Sequence, residues 1–302
     1  MSPQVSIIIV NYNVKELLLD CIRSIYANVK ISFEIIVIDN NSTDGSIALI
    51  QQHFPQVKTI VNTYNAGFPK ATNQGFLQSK GEYIFMLNPD TVIIKDAIDK
   101  MIDFLENNKD VAILAPQLLN TDGTIQYSIQ RFITVQEIIL ETFFLHTIYK
   151  NFHSYINKPI NTPIAVEAVS GAAILFPRSL IHEIGGLDED LFWTEDMEFC
   201  YRAFKKGKKI YYYPNAKIIH HVGASGTKNR KVMLSRQILT KITFFKKNHS
   251  AFAFTLVKYA RLLHIISRIF IFKVLSISQN KIFKIKAEAY IFTLSEFNKH
   301  NY

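Results

Sequence analysis

The chain has 302 residues, 48% of them hydrophobic and 20% charged, with a formal net charge of +9. That length and apolar content exclude a disordered chain or a small disulfide scaffold, and they fit one large α/β domain with an appendage, or two domains. The charge is uneven: from Lys228 onward 15 basic side chains face only Glu288 and Glu296, while the preceding residues hold 19 basic and 23 acidic ones.

Taken in chain order, residues 5–10, 34–39, 57–62, 83–87 and 111–115 are runs rich in Ile and Val that predict strands. Between them, residues 14–28, 44–53, 69–80 and 96–107 carry apolar side chains at helical spacing. This alternation predicts a parallel sheet with helices on both faces, because strands covered on both sides lose their polar alternation. Thr121-Asp122-Gly123-Thr124 is a turn signal for a hairpin or bulge. Residues 136–149 predict a helix, and the segment to Pro163 reads as a loop. A strand-like region at 166–176 is interrupted at Ser170-Gly171. A short helix over 177–184 should stop at Gly185-Gly186, and a stronger one over 195–206 has Thr194 as its cap and Gly207 as its stop. Short strands follow at 210–213 and 217–220. Cys21 and Cys200 lack metal or redox spacing, which predicts a reducing compartment, and no signal-peptide pattern precedes the first strand.

Polar residues cluster where these strands end. The first runs into Asn11-Tyr12-Asn13 and the second into Asp39, with Asp44 a few residues on. The carboxyl ends of strands are where open α/β sheets bind ligands, which favours a ligand contact for Asp39, whereas Asp44 fits a helix cap. No glycine occurs in residues 1–44, and there is no Gly-Lys-Ser/Thr loop, so the glycine-rich phosphate cradle of a dinucleotide-binding sheet is missing. The fourth strand ends abruptly at Asn88-Pro89-Asp90, since proline cannot continue the ladder. Asp90 therefore stands where a hard cation bridging a diphosphate would need a carboxylate.

Five ordered blocks carry a resemblance: VSIIIVNYN at 5–13, IIVIDNNSTDGS at 35–46, NAGFPKATNQGF at 65–76, FMLNPDT at 85–91, and 171–202 around Trp193-Thr194-Glu195-Asp196-Met197-Glu198. Together, over about residues 3–226, they resemble the family 2 glycosyltransferases, in particular the rhamnosyltransferase-like branch of bacterial polysaccharide assembly. The resemblance implies a GT-A fold, a Rossmann-like and mostly parallel sheet with helices on both faces. It also implies a nucleotide-sugar donor, a divalent metal (Mg²⁺ or Mn²⁺), and transfer with inversion at the anomeric carbon. On the matching positions, Asn11, Tyr12, Asn13, Asp39, Asn65, Gly67, Asn73 and Asn88 would bind the nucleotide sugar, with Asp39 on the base. Asn88-Pro89-Asp90 replaces the family's usual Asp-x-Asp, leaving Asp90 as the main protein ligand of the metal. Asp196 would be the base that deprotonates the acceptor hydroxyl, with Glu195 orienting the acceptor or a neighbour, and a helix amino-terminus would keep Asp196 ionised. Trp193 would offer a flat surface to an acceptor sugar, with core packing as the rival role for a lone tryptophan. His220 and His221 cannot both face one site, because side chains alternate along a strand; His220 is the favoured metal or diphosphate contact. The Gly223–Gly226 turn, with Lys228 or Arg230, could close over the phosphates.

The tail is helical in pattern, apolar and basic. Residues 251–278 are interrupted by Lys258, Arg261, His264, Arg268 and Lys273, too many charges for a spanning helix. The spacing of the cations favours one face. It predicts a helix lying in a membrane interface with its basic residues on anionic headgroups, the rival being a helix packed on the catalytic domain. The expected layout is a catalytic domain over 1–227, with a nucleotide-sugar half to about 115 and an acceptor half after it, followed by a C-terminal, helical, basic amphipathic extension over 228–302. The reading is of a cytoplasmic enzyme, peripheral on the inner face of the plasma membrane, acting on a lipid-linked saccharide or polysaccharide acceptor, with L-rhamnose from dTDP-rhamnose as the favoured donor. Other hexosyl or N-acetylhexosaminyl transfer within the family is the nearest alternative. A Rossmann dehydrogenase lacks its glycine loop. A non-enzymatic membrane or nucleic-acid binding module leaves the acidic blocks unexplained, and no nucleic-acid partner is expected.

Overall fold

A computed structural model describes residues 2–145, 160–221, 230–277 and 281–300. In chain order the strands are β1 (Val5–Asn11), β2 (Phe33–Asp39), β3 (Lys58–Val61), β4 (Tyr83–Leu87), β5 (Thr91–Ile93), β6 (Val111–Leu119), β7 (Ile125–Gln126), β8 (Ile129–Gln130), β9 (Ile164–Val166), β10 (Ala168–Val169), β11 (Ala173–Pro177) and β12 (Lys209–His220). The described helices are α1 (Lys15–Asn28), α2 (Ser46–His53), α3 (Phe68–Gln78), α4 (Ala97–Asn107), α5 (Val135–Thr142), α6 (Ser179–Ile184), α7 (Glu195–Lys205), α8 (Arg230–Asn248), α9 (Ala251–Ser276) and α10 (Lys281–Lys299). They group into two compact units. The first takes Met1–Phe132, Lys158–Glu189 and Glu195–Gly226; the second takes Ile133–Asn157, Asp190–Thr194 and Thr227–Tyr302. The tail from 228 is thus joined by two segments from earlier in the chain.

The first unit is a mixed sheet in the order β3-β2-β1-β4-β11-β6-β12-β5, with β7 beside β6 and β9 beside β12. Its first four strands are parallel, as the Ile- and Val-rich runs predict, and every residue of β1 is buried. Helix α4 shows why such segments fold this way: Ala97, Ile98, Met101, Ile102 and Leu105 form one apolar stripe and bury it, together stabilising the layer by several kcal/mol at ~25 cal/mol per Å². Helix α3 crosses the sheet at Gly75, where a Cβ would stand 2.5 Å from Ile8 Cγ2, so only glycine permits that approach.

The rest of the sheet adds antiparallel strands to this parallel half, and two segments expected as separate strands join into one. Strand β11 enters the sheet antiparallel to both β4 and β6, because the chain arrives at the carboxyl end of β4, where Asn88 N donates to Ala172 O (2.9 Å), and must run back. The segments at 210–213 and 217–220 are one strand, β12, whose register on β6 shifts between Tyr213 and Lys217, where Pro214 offers no N–H. Thr121–Thr124 turns β6 into β7 as an antiparallel hairpin. Residues Thr91–Ile93, unassigned from the sequence, form β5 and pair antiparallel with the end of β12.

In the second unit, α5 is shorter than expected, ending at Thr142, and opens with a capping box between Thr134 and Glu137. Thr194, expected to cap α7, instead shares its hydroxyl with Thr240 (2.8 Å) on α8. The largest departure is in α9. Arg261, His264 and Arg268, expected to reach out to headgroups, are buried. Glu141 on α5 is the reason: its Oε2 accepts from Arg261 Nη2 (2.6 Å) and Lys241 Nζ (3.0 Å). Arg268 donates to the last carbonyls of α5, those of Thr142 (2.6 Å) and Glu141 (2.7 Å), where a helix carboxyl end favours a cation. Burial would raise the Glu141 pKa, but Lys241 and Arg261 outweigh it and hold the carboxyl below its usual range. Burial, with Arg268 and Arg261 alongside, pushes the His264 pKa down to about 3, so this imidazole is neutral. Among the described residues no helix is long and apolar enough to cross a membrane.

Candidate functional site

The carboxyl ends of the parallel strands bring the first group of site residues together in the first unit. Asn11 and Asp39 are register partners on β1 and β2, and both are buried. Asn11 Nδ2 donates to Asp39 Oδ1 (2.6 Å), Ser42 Oγ (3.0 Å) and Ser46 Oγ (2.8 Å), while Ser42 N donates to Asp39 Oδ2 (2.8 Å). The Asp39 carboxylate thus pins the loop after β2 to the end of β1. Asn13, in the left-handed region at φ 54°, completes that clasp: its Oδ1 accepts from Thr43 N (2.8 Å) and its own N donates to Ser42 Oγ (2.9 Å). Tyr12 between them is 38% exposed. Asp44 links two helix starts by accepting from Lys15 N (2.9 Å) and from Ser46 N (3.0 Å), a wider role than the single cap expected. Asn65 Oδ1 accepts from Gly67 N (3.0 Å), and Gly67 O accepts from Asn40 Nδ2 (3.3 Å), which brings the loop before α3 to this cluster. Asn73 is not with them. Its amide exchanges hydrogen bonds with the main chain of Leu187 (both 2.8 Å) and so holds the 186–187 turn.

Asp90 and His220 lie 130 positions apart in sequence, and the pairing of Thr91 with His220 in the β5–β12 ladder joins them. Asp90 is buried, its Oδ1 has no hydrogen-bond partner, and that oxygen stands 3.3 Å from His220 Nε2. Asn88 Nδ2 is 3.4 Å from the same ring nitrogen. On the other side of the ring, His220 Nδ1 is 2.7 Å from Gln126 Oε1. The Gln126 amide nitrogen is committed to Asn120 Oδ1 (3.0 Å) and His220 O (3.3 Å), so its oxygen can only accept. Nδ1 therefore carries a hydrogen, so that in the neutral ring the lone pair is on Nε2, on the side of Asp90. Two ligands at right angles on an octahedral cation with ~2.1 Å bonds lie about 3 Å apart, so an unpartnered carboxylate oxygen and a ring lone pair at this separation fit one divalent cation. Among the described residues no group of three or more His, Cys, Asp or Glu comes together as a metal site. His221 serves the main chain, its N donating to Asp90 O (2.8 Å). The glycine turn at 223–226, with Lys228 and the Arg230 side chain, lies outside the described residues.

Asp196 opens α7 beside the interruption at Ser170-Gly171. Its Oδ2 accepts from Gly171 N (2.7 Å) and Gln130 Nε2 (3.0 Å), and its Oδ1 accepts from Met197 N (2.7 Å). Gly171 matters by its closeness, since a Cβ there would stand 3.2 Å from Asp196 Cβ. Burial raises the Asp196 pKa above the ordinary 3.8, and the hydrogen bonds from Gly171, Met197 and Gln130 only partly oppose it. The direction is opposite to the one that the helix start alone implies, because enclosure outweighs the partial charge of one helical turn. The carboxylate is thereby a stronger base than a free one. Glu195 precedes it, half-buried at the first position of α7. Trp193 falls in the second unit. It is 52% exposed with φ 71°, a conformation costly for a bulky residue, and its exposure removes core packing as its role.

Two site residues escaped the sequence reading, Gln126 and Gln130. They set the His220 tautomer and hold Asp196, respectively. The available signal was the repeated Ile-Gln pair in Ile125-Gln126-Tyr127-Ser128-Ile129-Gln130, two short alternating segments directly after a turn.

The glycosyl transferase family 2 sequence model matches residues 6–185. The N-acetylglucosaminyl-diphospho-decaprenol L-rhamnosyltransferase of Mycobacterium tuberculosis is 24% identical over 233 residues, covering 72% of this chain and 75% of that protein. The poly-beta-1,6-N-acetyl-D-glucosamine synthase of Staphylococcus epidermidis is 27% identical over 215 residues; these cover 70% of this chain and about half (48%) of the synthase. Among solved structures, the mannosyltransferase PcManGT of Pyrobaculum calidifontis, in complex with GDP-Man and Mn²⁺, superposes with a TM-score of 0.56 at 14% identity, covering 97% of this chain and 86% of that one. That likeness shows a shared GT-A-type fold.

Proposed function

Since the chain belongs to glycosyltransferase family 2 and is a glycosyltransferase, we propose that it moves a sugar from a nucleotide-sugar donor to the hydroxyl of a lipid-linked saccharide or polysaccharide acceptor, with inversion at the anomeric carbon. The observation that carries this reading is Asp196: a carboxylate gripped by three hydrogen bonds at a helix start, with its pKa raised by burial. In the reaction Asp196 takes the proton of the attacking hydroxyl as the oxygen bonds to the anomeric carbon, and the nucleoside diphosphate departs with the glycosidic electron pair. Asn11, Asp39 and Asn13 keep the loops after β1 and β2 rigid around the nucleoside. Asp90 Oδ1 and His220 Nε2 would hold a divalent cation, whose chemistry is to offset the charge of the diphosphate. Gln126 keeps His220 in the ligating tautomer.

For the donor we favour an L-rhamnosyl nucleotide such as dTDP-rhamnose, and for the acceptor a polyprenyl-diphosphate saccharide; the mycobacterial relative, matched over most of both chains, supports both. The staphylococcal synthase supports N-acetylglucosaminyl transfer as the second reading. A thermal-shift panel of nucleoside diphosphates and nucleotide sugars, with and without Mg²⁺ or Mn²⁺, tests the proposal, because a ligand that binds only the folded chain raises its apparent stability. Stabilisation by a dTDP-sugar with metal is the expected result, and stabilisation by UDP-N-acetylglucosamine alone would favour the second reading. No response to any nucleotide sugar, from a chain shown to be folded, would overturn the proposal.

A further inference from the structure

Helix α9 is inverted relative to the expectation from its sequence: Arg261, His264 and Arg268 point in, and a stripe of its apolar residues points out. Outward lie Phe252, Leu256, Tyr259, Leu263, Ile266 and Phe270, with Phe252 79% and Phe270 69% exposed. Their intervals alternate between four and three residues, which keeps them on one stripe of the helix. Inward lie Arg261, His264 and Arg268, tied to Glu141 and to the end of α5, so the helix cannot roll to hide the stripe without breaking those bonds. Exposed Ile282 and Ile285 on α10 add to the apolar surface of the same unit. An apolar stripe of this length exposed to water calls for a partner.

The charges around it say which partner. Helix α9 contains no Asp or Glu, and the exposed Lys273, Lys281 and Lys284 accompany the stripe. The acids of α10 are engaged, Glu288 with Lys231 (2.8 Å) and Glu296 with Lys299 (2.7 Å). A second copy of the chain would set cations against cations with no acidic row to answer them, whereas helix pairs with this spacing carry opposite charges beside the seam. An anionic lipid headgroup layer supplies what is missing, and aromatic residues such as Phe252, Tyr259 and Phe270 suit the boundary between headgroups and acyl chains. We propose that the outward stripe of α9, with the neighbouring turn of α10, inserts into the surface of an anionic membrane, led by apolar side chains with the exposed lysines at headgroup level. The helix lies on the bilayer and does not cross it. This placement reverses the headgroup-facing arginines expected from the sequence, and it does not depend on the sugar transferred.

The test is co-sedimentation of the full chain with vesicles of phosphatidylcholine alone and of phosphatidylcholine mixed with phosphatidylglycerol, at low and high salt. The chain should bind the mixed vesicles, and high salt should release only part of it, since apolar insertion is unscreened. Leu263→Glu with Phe270→Glu should lower partitioning by about tenfold or more, because both lost contacts are apolar and a charge replaces each. Lys281→Glu with Lys284→Glu should remove the preference for anionic vesicles while leaving residual binding to neutral ones. Circular dichroism checks the fold of each variant; should the Glu pair not fold, Leu263→Ser with Phe270→Ser gives the same readout. Absence of vesicle binding at low salt, or unchanged binding by the apolar double variant, overturns the proposal. Sedimentation equilibrium that shows a dimer abolished by the apolar variant, without vesicle binding, would assign the stripe to a second copy instead.

Discussion

Replacing Asp196 by Asn separates catalysis from architecture in a way that can be worked out in advance. Three donors converge on the carboxylate: Gly171 N and Gln130 Nε2 on Oδ2, and Met197 N on Oδ1. An asparagine has one acceptor oxygen. With that oxygen in the Oδ2 position Met197 N faces an NH₂ group, and in the other orientation Gly171 N and Gln130 both do. The first arrangement is the cheaper, and a lost bond with a donor left facing a donor costs ~1–3 kcal/mol. A domain stable by ~5–15 kcal/mol remains largely folded after such a loss. Loss of the base should lower transfer by ~10²–10⁴-fold, far more than the unfolded fraction could explain. Urea unfolding and steady-state transfer on the same preparation separate the two effects. In the wild type the acid limb of kcat/KM should lie above the ordinary aspartate range, since burial raises this pKa. Transfer by a folded Asn variant within a few-fold of wild type would refute the assignment of Asp196 as the base.

Gln130→Met removes a hydrogen bond that favours the charged form of Asp196, so the acid limb of kcat/KM should move further up in pH; a pH–rate profile with an unmoved limb would show that Gln130 only fills space. Asp90→Ala should weaken metal-dependent binding of a nucleoside diphosphate much more than binding of the bare nucleoside, as read by calorimetry, because residues 1–44 hold no glycine with which to cradle the diphosphate after β1 or β2. Gln126→Met frees the His220 ring to change tautomer, and metal affinity in the presence of the diphosphate should fall by ~10–100-fold. In the second unit, the folded state keeps His264 neutral down to about pH 3 while an unfolded chain protonates it below 6.5. Stability should therefore be lost as pH falls below 6.5, at up to ~1.4 kcal/mol per pH unit, with Glu141 adding loss in the same direction below its ordinary 4.5. Urea midpoints at pH 7 and 5 measure this, and His264→Gln should flatten the difference.

Local chemistry made much of this protein legible from its sequence. A buried parallel strand has to be apolar throughout, and proline has to end one, so β1, β2 and β4 and the polar residues at their ends could be read directly. Asn11, Asp39, Asp90 and Asp196 all stand at such ends or at a helix start, where chain direction alone fixes their place. What the sequence left open is which distant residue meets which. His220 reaches Asp90 only because β12 runs antiparallel to β5 in one register, Gln126 gains its role only because β7 and β12 both pair with β6, and Gln130 from the pairing of β8 with β10. Asn73 kept its family position, yet its amide went to Leu187. The same limit explains α9. Helical periodicity reveals that one face is charged and another apolar, but not which of them points inward. That was decided around Glu141, 120 positions earlier in the chain: its carboxylate accepts from Arg261 and the end of its helix accepts from Arg268, which turns the charged face inward and leaves the apolar face outside.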